Sequence, residues 1–405
     1  MKTKHVLISG AGIAGPALAF WLSRAGWQVT VVERAAEPRT GGQAVDLRGA
    51  GRTVMERMEL LERAREVALD QRGFALVDGR GRITARMPVA AFDGAGIVSE
   101  IEILRGDLGR LLYEASLPRT DYRFGDSITA LHQTKEAVEV EFEHSTPQCV
   151  DLVVGADGLG STVRRLAIAP DDRCCRDLGL LTVGWTAVTD LDLDRWFLMY
   201  NLPGGLVASA RPGRVGGEVK AAFGIRTRAG DVPPVDAQAA RPLVAARFAG
   251  AGWAVPELIE TMAGATDLYV YTTAQVHLDR WSLGRIVLLG DAGYCPTPLS
   301  GLGTSLALVG AYVLAAELAR AAGDHALAFA RYEERMRPYV AQAQVLPPGG
   351  VAGFAPSSAL MIRMRALSMR WMMRWPMRSL LAGVFQKADA IELPEFGVAV
   401  KEPAA

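Results

Sequence analysis

Cysteine and histidine are scarce in this chain. Four cysteines occur among 405 residues, Cys149, Cys174, Cys175 and Cys295, and none stands in a CxxC spacing. Cys174 and Cys175 are adjacent, which suits neither a disulfide framework nor a zinc site. The five histidines (His5, His132, His144, His277, His325) lack the short spacing that puts two ligands on one helix face, so no metal site is expected. Neither sign of charge predominates. Lys plus Arg and Asp plus Glu are 44 each, and this zero balance offers no general field to capture nucleic acid or an acidic membrane. A long apolar run is also missing. The stretch from Val6 to Leu22 imitates the core of a signal peptide, but three glycines and Pro16 interrupt it, so neither a leader nor a transmembrane segment is predicted. Unpaired cysteines and no leader together point to the cytoplasm. No internal repeat is visible.

What is present is a large apolar fraction, 50% of the residues, in a chain long enough for two or three domains. The densest information lies at the start. An apolar run from His5 to Ser9 leads into Gly10-Ala11-Gly12-Ile13-Ala14-Gly15, and a second run from Val29 ends at Glu33-Arg34. A strand, a GxGxxG turn, a helix from about Ile13 to Ala25 and a second strand with an acid at its tip form a dinucleotide-binding unit. Gly10 permits the tight turn, Gly12 lets backbone approach a pyrophosphate, and Gly15 lets the helix pack on the strand. Glu33, eighteen residues past Gly15, is placed to accept the hydroxyls of an adenosine ribose and to repel a 2'-phosphate. The motif does not distinguish NAD from FAD.

Two further turns carry chemistry. The strand Val150 to Val154 runs into Gly155-Ala156-Asp157-Gly158, before Arg164-Arg165 on a predicted helix. Asp157 there is a helix cap or a ligand-binding acid. A later strand ends in Gly290-Asp291 and continues through Pro296-Thr297-Pro298 to Gly301-Leu302-Gly303-Thr304 and a long helix to about Ala322. An acid at a strand tip can bind a polyol hydroxyl, and the following helix start can present amides to negative charge.

The remaining texture predicts the organisation. A glycine-rich segment from Gly41 to Gly49 reads as a lid, and Thr53 to Val67 as a helix. Phe74 to Val77 and Ile83 to Met87 form a hairpin around Asp78-Gly79-Arg80-Gly81. Leu104 to Ser116 has helical spacing, and Ser127 to Gln133 with Ala137 to Glu143 alternate as strands. From about Asp171 to His277, short strand-like runs with one helix around Ala237 to Phe248 indicate an inserted, mostly antiparallel sheet. The expected boundaries are a dinucleotide-binding domain in three parts (1-72, 96-170 and 277-342), a second domain in two (73-95 and 171-276), and a C-terminal helical extension (343-405). Within that extension Leu360 to Arg378 holds six methionines, two tryptophans and five arginines. Such a helix either packs across the domains through flexible methionines or lies on a membrane or partner surface.

The three turns in this order resemble the single-component FAD-dependent aromatic hydroxylases, the family of p-hydroxybenzoate hydroxylase and the tetracycline-inactivating monooxygenases. The resemblance covers about residues 3 to 330 and implies an α/β fold: a Rossmann-like FAD-binding domain with an inserted antiparallel substrate sheet and a C-terminal helix. It implies that Gly10, Gly12, Ala14 and Gly15 hold the FAD pyrophosphate, with Glu33 and Arg34 at the adenosine ribose and Asp291 at the ribityl chain. Arg105 matches an arginine beside the FAD phosphates, Asp46 an acid near the flavin, and Asp157 a residue touching both FAD and the nicotinamide cofactor. Gly301, Leu302, Gly303 and Thr304 would line the pyrimidine end of the ring. The implied reaction uses NADPH or NADH and O2, through a C4a-hydroperoxyflavin, to hydroxylate a bulky aromatic or polyketide-like molecule. No side-chain acid or base is then assigned. Baeyer-Villiger insertion, epoxidation and a flavin dehydrogenase that never activates oxygen are the alternatives.

No second GxGxxG follows, so the reductant is expected to bind transiently over the Arg39 to Arg48 loop, with Arg39 and Arg48 as contacts. Trp185, Met199, Phe223 and Pro298 are the substrate-pocket candidates, with Trp196 and Phe197 beside them, although a core role is the commoner fate of such aromatics. The chain departs from the family pattern at Tyr294, where a histidine is common, at the broken proline pair around Thr297, and at Ser305, where an asparagine is frequent. Oligomeric state is not indicated.

Overall fold

The computed structural model describes residues 3–39, 41–91, 97–228, 231, 236–374 and 391–396. Its centre is a six-stranded sheet in the order β17 (Ser282–Leu283), β18 (Ile286–Leu288), β11 (Leu152–Gly155), β1 (His5–Ser9), β2 (Gln28–Glu33), β7 (Asp121–Phe124). All neighbours are parallel except β17 and β18. Strands covered on both faces read as continuous apolar runs, because successive side chains must each find a core. Val6 and Ile8 point to the helical side, packed with α1 (Ala14–Arg24), α4 (Arg105–Ser116) and α10 (Gly303–Arg320). Leu7, between them, enters a separate core against a small antiparallel sheet of β8 (Ile128–Gln133), β9 (Val138–Phe142) and β10 (Gln148–Val150). The apolar run at Val150 to Val154 is therefore two strands rather than one, split at Asp151. Its carboxylate accepts the His5 amide at 2.7 Å.

α2 (Gly49–Arg57) and α3 (Leu61–Glu66) replace the single helix expected over Thr53 to Val67. The break falls at Glu59, whose φ of +59° no helix accommodates. The Gly41 to Gly49 segment is not a free lid either. β3 (Ala44–Asp46) pairs antiparallel with β6 (Glu102–Leu104), and the backbone is held by that ladder.

The second sheet has seven strands: β16 (Tyr269–Val276), β12 (Cys175–Val188), β15 (Glu218–Arg226), β14 (Leu206–Pro212), β13 (Trp196–Leu202), β4 (Gly73–Val77), β5 (Ile83–Pro88). It is antiparallel apart from β4 beside β13. One face is sealed by α7 (Ala237–Arg247) and α8 (Val255–Gly264), the latter absent from the sequence reading. The other meets β3, β6 and the C-terminal elements. Short helices α5 (Thr162–Ala167), α6 (Asp171–Cys174) and α9 (Asp291–Tyr294) connect the sheets, and α11 (His325–Ala343) backs α10.

After α12 (Gly350–Phe354) comes α13 (Ala359–Met372), which crosses β5 and β13. Met369 is buried there among Phe74, Phe197 and Met199, the packing that flexible methionines favour. The remainder of the methionine-rich stretch, 375–378, lies outside the described residues. Among the described residues no helix is long and apolar enough to cross a membrane.

Candidate active site

The first turn is dictated by contacts rather than composition. A Cβ on Gly15 would stand 1.9 Å from the Gly10 carbonyl oxygen, and one on Gly10 would stand 2.6 Å from that of Ala156, so only glycine lets α1 seat on β1 and β1 lie against the Ala156 turn. Gly10 also has φ of +106°. Gly12 differs: its Cβ would meet only Arg105 Nη2, at 3.9 Å. Space for a ligand lies above that amide, at the start of α1, where free N–H groups favour an anion. Ala14 is buried and closes the other side, 3.3 Å from where a Cβ on Gly290 would sit.

Glu33 ends β2 with its carboxylate turned into this turn, accepting the Ala11 amide at 2.8 Å and the Ala35 amide at 3.0 Å. Arg34 beside it is exposed, and Arg39 stands 3.9 Å from Glu33 Oε1.

Arg105 opens α4, and its backbone N–H donates to the Gln43 carbonyl at 3.0 Å, anchoring it to the start of β3. Its guanidinium sits over Gly12 while its Cβ and Cδ cover Gly42, and its charge opposes the rise that burial forces on the Asp291 pKa. Cys295, hydrogen-bonded to that carboxyl, lowers it further. Gly303, the first residue of α10, would place a Cβ 3.9 Å from Asp291 Oδ1. Gly301 has φ of +65°, and its Cβ would approach Asp46 Oδ2 to 3.2 Å. Leu302 and Thr304 are buried around that helix start. A continuous path therefore runs from Gly12 through Arg105 and Asp291 to Gly303, Gly301 and Asp46, uniting residues scattered over nearly 300 positions of sequence.

Ser161 is the N-cap of α5, its Oγ accepting the Arg164 amide at 3.0 Å, and Asp157 braces the same helix start. Its Oδ2 accepts the amides of Thr162 and Val163 at 2.8 and 3.1 Å, and its Oδ1 accepts the Ser161 hydroxyl at 2.5 Å. Arg48 is not a free surface cation. It pairs with Asp46 at 3.0 Å, donates to the Ile97 carbonyl at 2.9 Å, and is largely buried. Arg39 and Arg48 thus occupy different environments, one exposed beside Glu33 and one locked beneath the α10 start.

The pocket candidates separate by strand parity. Trp185 and Phe223 point into the core beneath α7 and α8, with Trp185 Nε1 donating to Thr261 at 3.2 Å, so neither lines the face toward the cofactor turns. Trp196 shares that core. Met199 and Phe197 occupy the opposite face, with Met199 covered by α13 and accepting from Arg365 Nη1 at 3.4 Å. Pro298 is exposed at the start of a 3-10 turn before Gly301.

Sequence reasoning missed the polar groups on that same face. Tyr269 and Tyr271 of β16 stand opposite Gly184 and Thr182, and Gly184 is required because a Cβ there would lie 2.0 Å from the Tyr269 hydroxyl. Gln43 donates to the Ala221 carbonyl at 3.3 Å, and Arg211 reaches Glu102 at 2.5 Å while stacking 3.9 Å over the Phe197 ring. Counting by twos from Met199 along the sheet would have found them. Thr297, between the two prolines, has φ of +89° although β-branched, a strained backbone no sequence signal marks. Its hydroxyl is buried without a partner among the described residues.

The family model described as an FAD binding domain matches residues 3–345. The chain belongs to this FAD-binding family. It is 34% identical over 400 residues to a flavin-dependent monooxygenase from an unknown prokaryotic organism, covering 97% of this chain and 99% of the relative. An uncharacterized protein of Mycobacterium tuberculosis is 40% identical over 354 residues, covering 87% and 95% respectively. Among solved structures, tetracycline destructase Tet(55) superposes with a TM-score of 0.80 at 33% identity, covering 97% of this chain and 99% of that one. The member described here is an FAD-dependent oxidoreductase of the monooxygenase type, in a family where NAD(P)H is the usual reductant.

Proposed function

We propose that this flavoprotein uses NAD(P)H and O2 to hydroxylate a bulky aromatic or polyketide-like molecule held between the α10 start and the seven-stranded sheet. The observation that carries the reading is the convergence of Gly12, Arg105, Asp291 and Gly303 around one elongated path. The residues fit FAD: the phosphate end has an open amide and a guanidinium, and the adenosine end has Glu33. At the flavin end a left-handed glycine and a helix start leave room that a Cβ would narrow.

FAD bound there supplies hydride acceptance and activation of oxygen, chemistry no side chain performs. Gly10, Gly12, Ala14 and Gly15 shape the phosphate turn, and Arg105 neutralises the diphosphate. Glu33, flanked by Arg34, accepts from ribose hydroxyls, which favours FAD over a 2'-phosphorylated nucleotide in this turn. Asp291 would accept from the ribityl chain. The amides of Leu302, Gly303 and Thr304 at the start of α10, with Gly301 before them, would direct positive potential at the ring bound there and stabilise negative charge on it. Asp46, fixed by Arg48, sets a carboxylate beside Gly301.

Burial pushes the Tyr269 and Tyr271 pKa values up, so both keep their Oη protons near neutral pH and act as donors. Phe197, with Arg211 stacked on its ring, gives their face an apolar backing, while Met199 beside it is covered by α13. Pro298 borders the substrate side, and exposed Arg39 is the reductant contact, while Arg48 acts through Asp46. The name of a neighbour at 33% identity supports the substrate class: Tet(55) is a tetracycline destructase.

The test is to follow NADPH and NADH oxidation together with oxygen uptake by the yellow protein, against aromatic polyketides including tetracyclines. Substrate-stimulated oxygen consumption with a product heavier by one oxygen is expected. Reductant oxidation with a hydrogenated product and no oxygen uptake would assign a reductase instead.

A further inference from the structure

Outside the cofactor path, reactive side chains gather at the junction of α6 and β12. Cys174 Sγ and Cys175 Sγ lie 3.9 Å apart, and Asp171 Oδ1 lies 3.9 Å from Cys175 Sγ. The donor atoms of all three fall within 4.8 Å of one another. Over them sits a fully buried cation: Arg164 Nη2 is 2.6 Å from Asp171 Oδ1 and 3.4 Å from Cys175 Sγ, while its Nη1 donates to the Ala292 carbonyl at 2.9 Å. Cys174 is buried and Cys175 half-buried, so the pair is approached from the Cys175 side.

We propose that Cys174 and Cys175 form a vicinal-dithiol site for a trivalent thiophilic metalloid, an arsenous or organoarsenous acid. Three features of the junction select that chemistry. The two sulfurs are in contact at 3.9 Å, so a small side-chain rotation lets one pyramidal trivalent atom bond both. Adjacent residues chelate that atom in one ring, an advantage that Cys149 and Cys295, each without a sequence-adjacent thiol, lack. The guanidinium of Arg164, fixed by Asp171 and the Ala292 carbonyl, repels a divalent metal, whereas the metalloid bis-thiolate is uncharged.

The step balances without an oxidant: R–As(OH)2 and two thiols give R–As(SR)2 and two waters. Two As–O bonds break, two As–S bonds form, each hydroxide leaves with a thiol proton, and arsenic stays trivalent. Because Arg164 also holds Ala292, next to Asp291, the site touches the cofactor turn through one side chain.

The holoprotein treated with one equivalent of phenylarsine oxide is read by intact mass. One phenylarsenic adduct is expected, removed by a dithiol such as dimercaptopropanol but not by the same excess of glutathione. Cys174→Ser and Cys175→Ser should each lower adduct formation at least tenfold while Cys149→Ser retains it. Retained flavin absorbance and circular dichroism report that the variants are folded. Peptide mapping of the unsubstituted adduct provides the second reading, with arsenic expected on the Cys174–Cys175 peptide. Absence of an adduct, arsenic mapped to Cys149 or Cys295, or an adduct undiminished in both serine variants would overturn the proposal. So would one-to-one binding of zinc or cadmium that blocks the arsenical.

Discussion

Asp46 and Glu102 stand directly opposite each other in the β3–β6 ladder, two carboxylates in register. Arg48 pairs with the first and Arg211 with the second. Burial pushes the Glu102 pKa up to about 7, against the pull of Arg211 and helped by the Asp46 charge. Its Oε2 has no partner among the described residues, which suits a carboxyl that holds a proton. The pair is where the FAD-binding strands meet the seven-stranded sheet, so its charge state bears on how the two are joined.

A raised carboxyl pKa means that the folded protein keeps a proton the unfolded chain releases. The stability this contributes is complete below about pH 4.5 and is lost as pH rises to about 7. Glu102→Gln removes that dependence, so the variant should gain on the parent by at most about 1.4 kcal/mol per pH unit over this window and keep the accumulated difference unchanged above it. Loss of the Arg211 partner adds an offset constant with pH. Urea unfolding at pH 5 and pH 8 checks this, and an identical difference at both values would refute the shift.

Gly15→Ala and Gly12→Ala should separate folding from cofactor binding. The first drives a methyl into the Gly10 carbonyl and should cost about 1–3 kcal/mol or more. The second meets only a side-chain end and should leave stability within about 0.5 kcal/mol while weakening FAD at least about tenfold. Thermal unfolding of the apoprotein and a flavin titration distinguish them. Equal loss of stability in both would remove the argument for an open phosphate position at Gly12.

Arg105→Ala should lower FAD affinity about 10- to 100-fold, the worth of a charge-assisted phosphate contact, without unfolding the protein. The anchoring bond to Gln43 comes from its backbone and survives the substitution. Fluorescence quenching of free FAD on binding gives the number. An unchanged Kd would detach Arg105 from the cofactor.

Tyr294, the departure from the family's histidine, is fully buried and shares a 2.8 Å hydrogen bond with the Tyr332 hydroxyl, which also donates to the Leu288 carbonyl. Its ring packs 4.6 Å from that of Trp281. The residue ends α9, with its ring turned toward Tyr332 and Trp281 in the core beneath that helix. Tyr294→Phe should cost about 1 kcal/mol in stability and leave the flavin spectrum unchanged. A shifted flavin absorbance would place Tyr294 at the ring instead.

The cofactor turns were legible in the sequence because their demands are local. Whether a residue can adopt φ above zero, or tolerate a carbonyl 1.9 Å from a Cβ, is decided within a strand and the helix after it, and only glycine answers at Gly10 and Gly15. The strands of the inserted sheet were legible for the same reason, from alternation and turn residues. The helix α8 was not, although Val255, Leu258 and Met262 lie on one face, because the glycines before it read as more loop.

Tertiary structure alone decided which face of the sheet each residue serves. Period two says that Trp185 and its neighbour Gly184 differ in side, but only the register that sets Tyr269 opposite Gly184, with α7 and α8 on one face and β3 and β6 on the other, says which is core and which is site. It also brought the Ile97 carbonyl, forty-nine residues away, to within 2.9 Å of the Arg48 guanidinium and so fixed that side chain beside Asp46, because a charged group takes the partners that folding brings within about 3 Å and a partner so distant in sequence leaves no local signal.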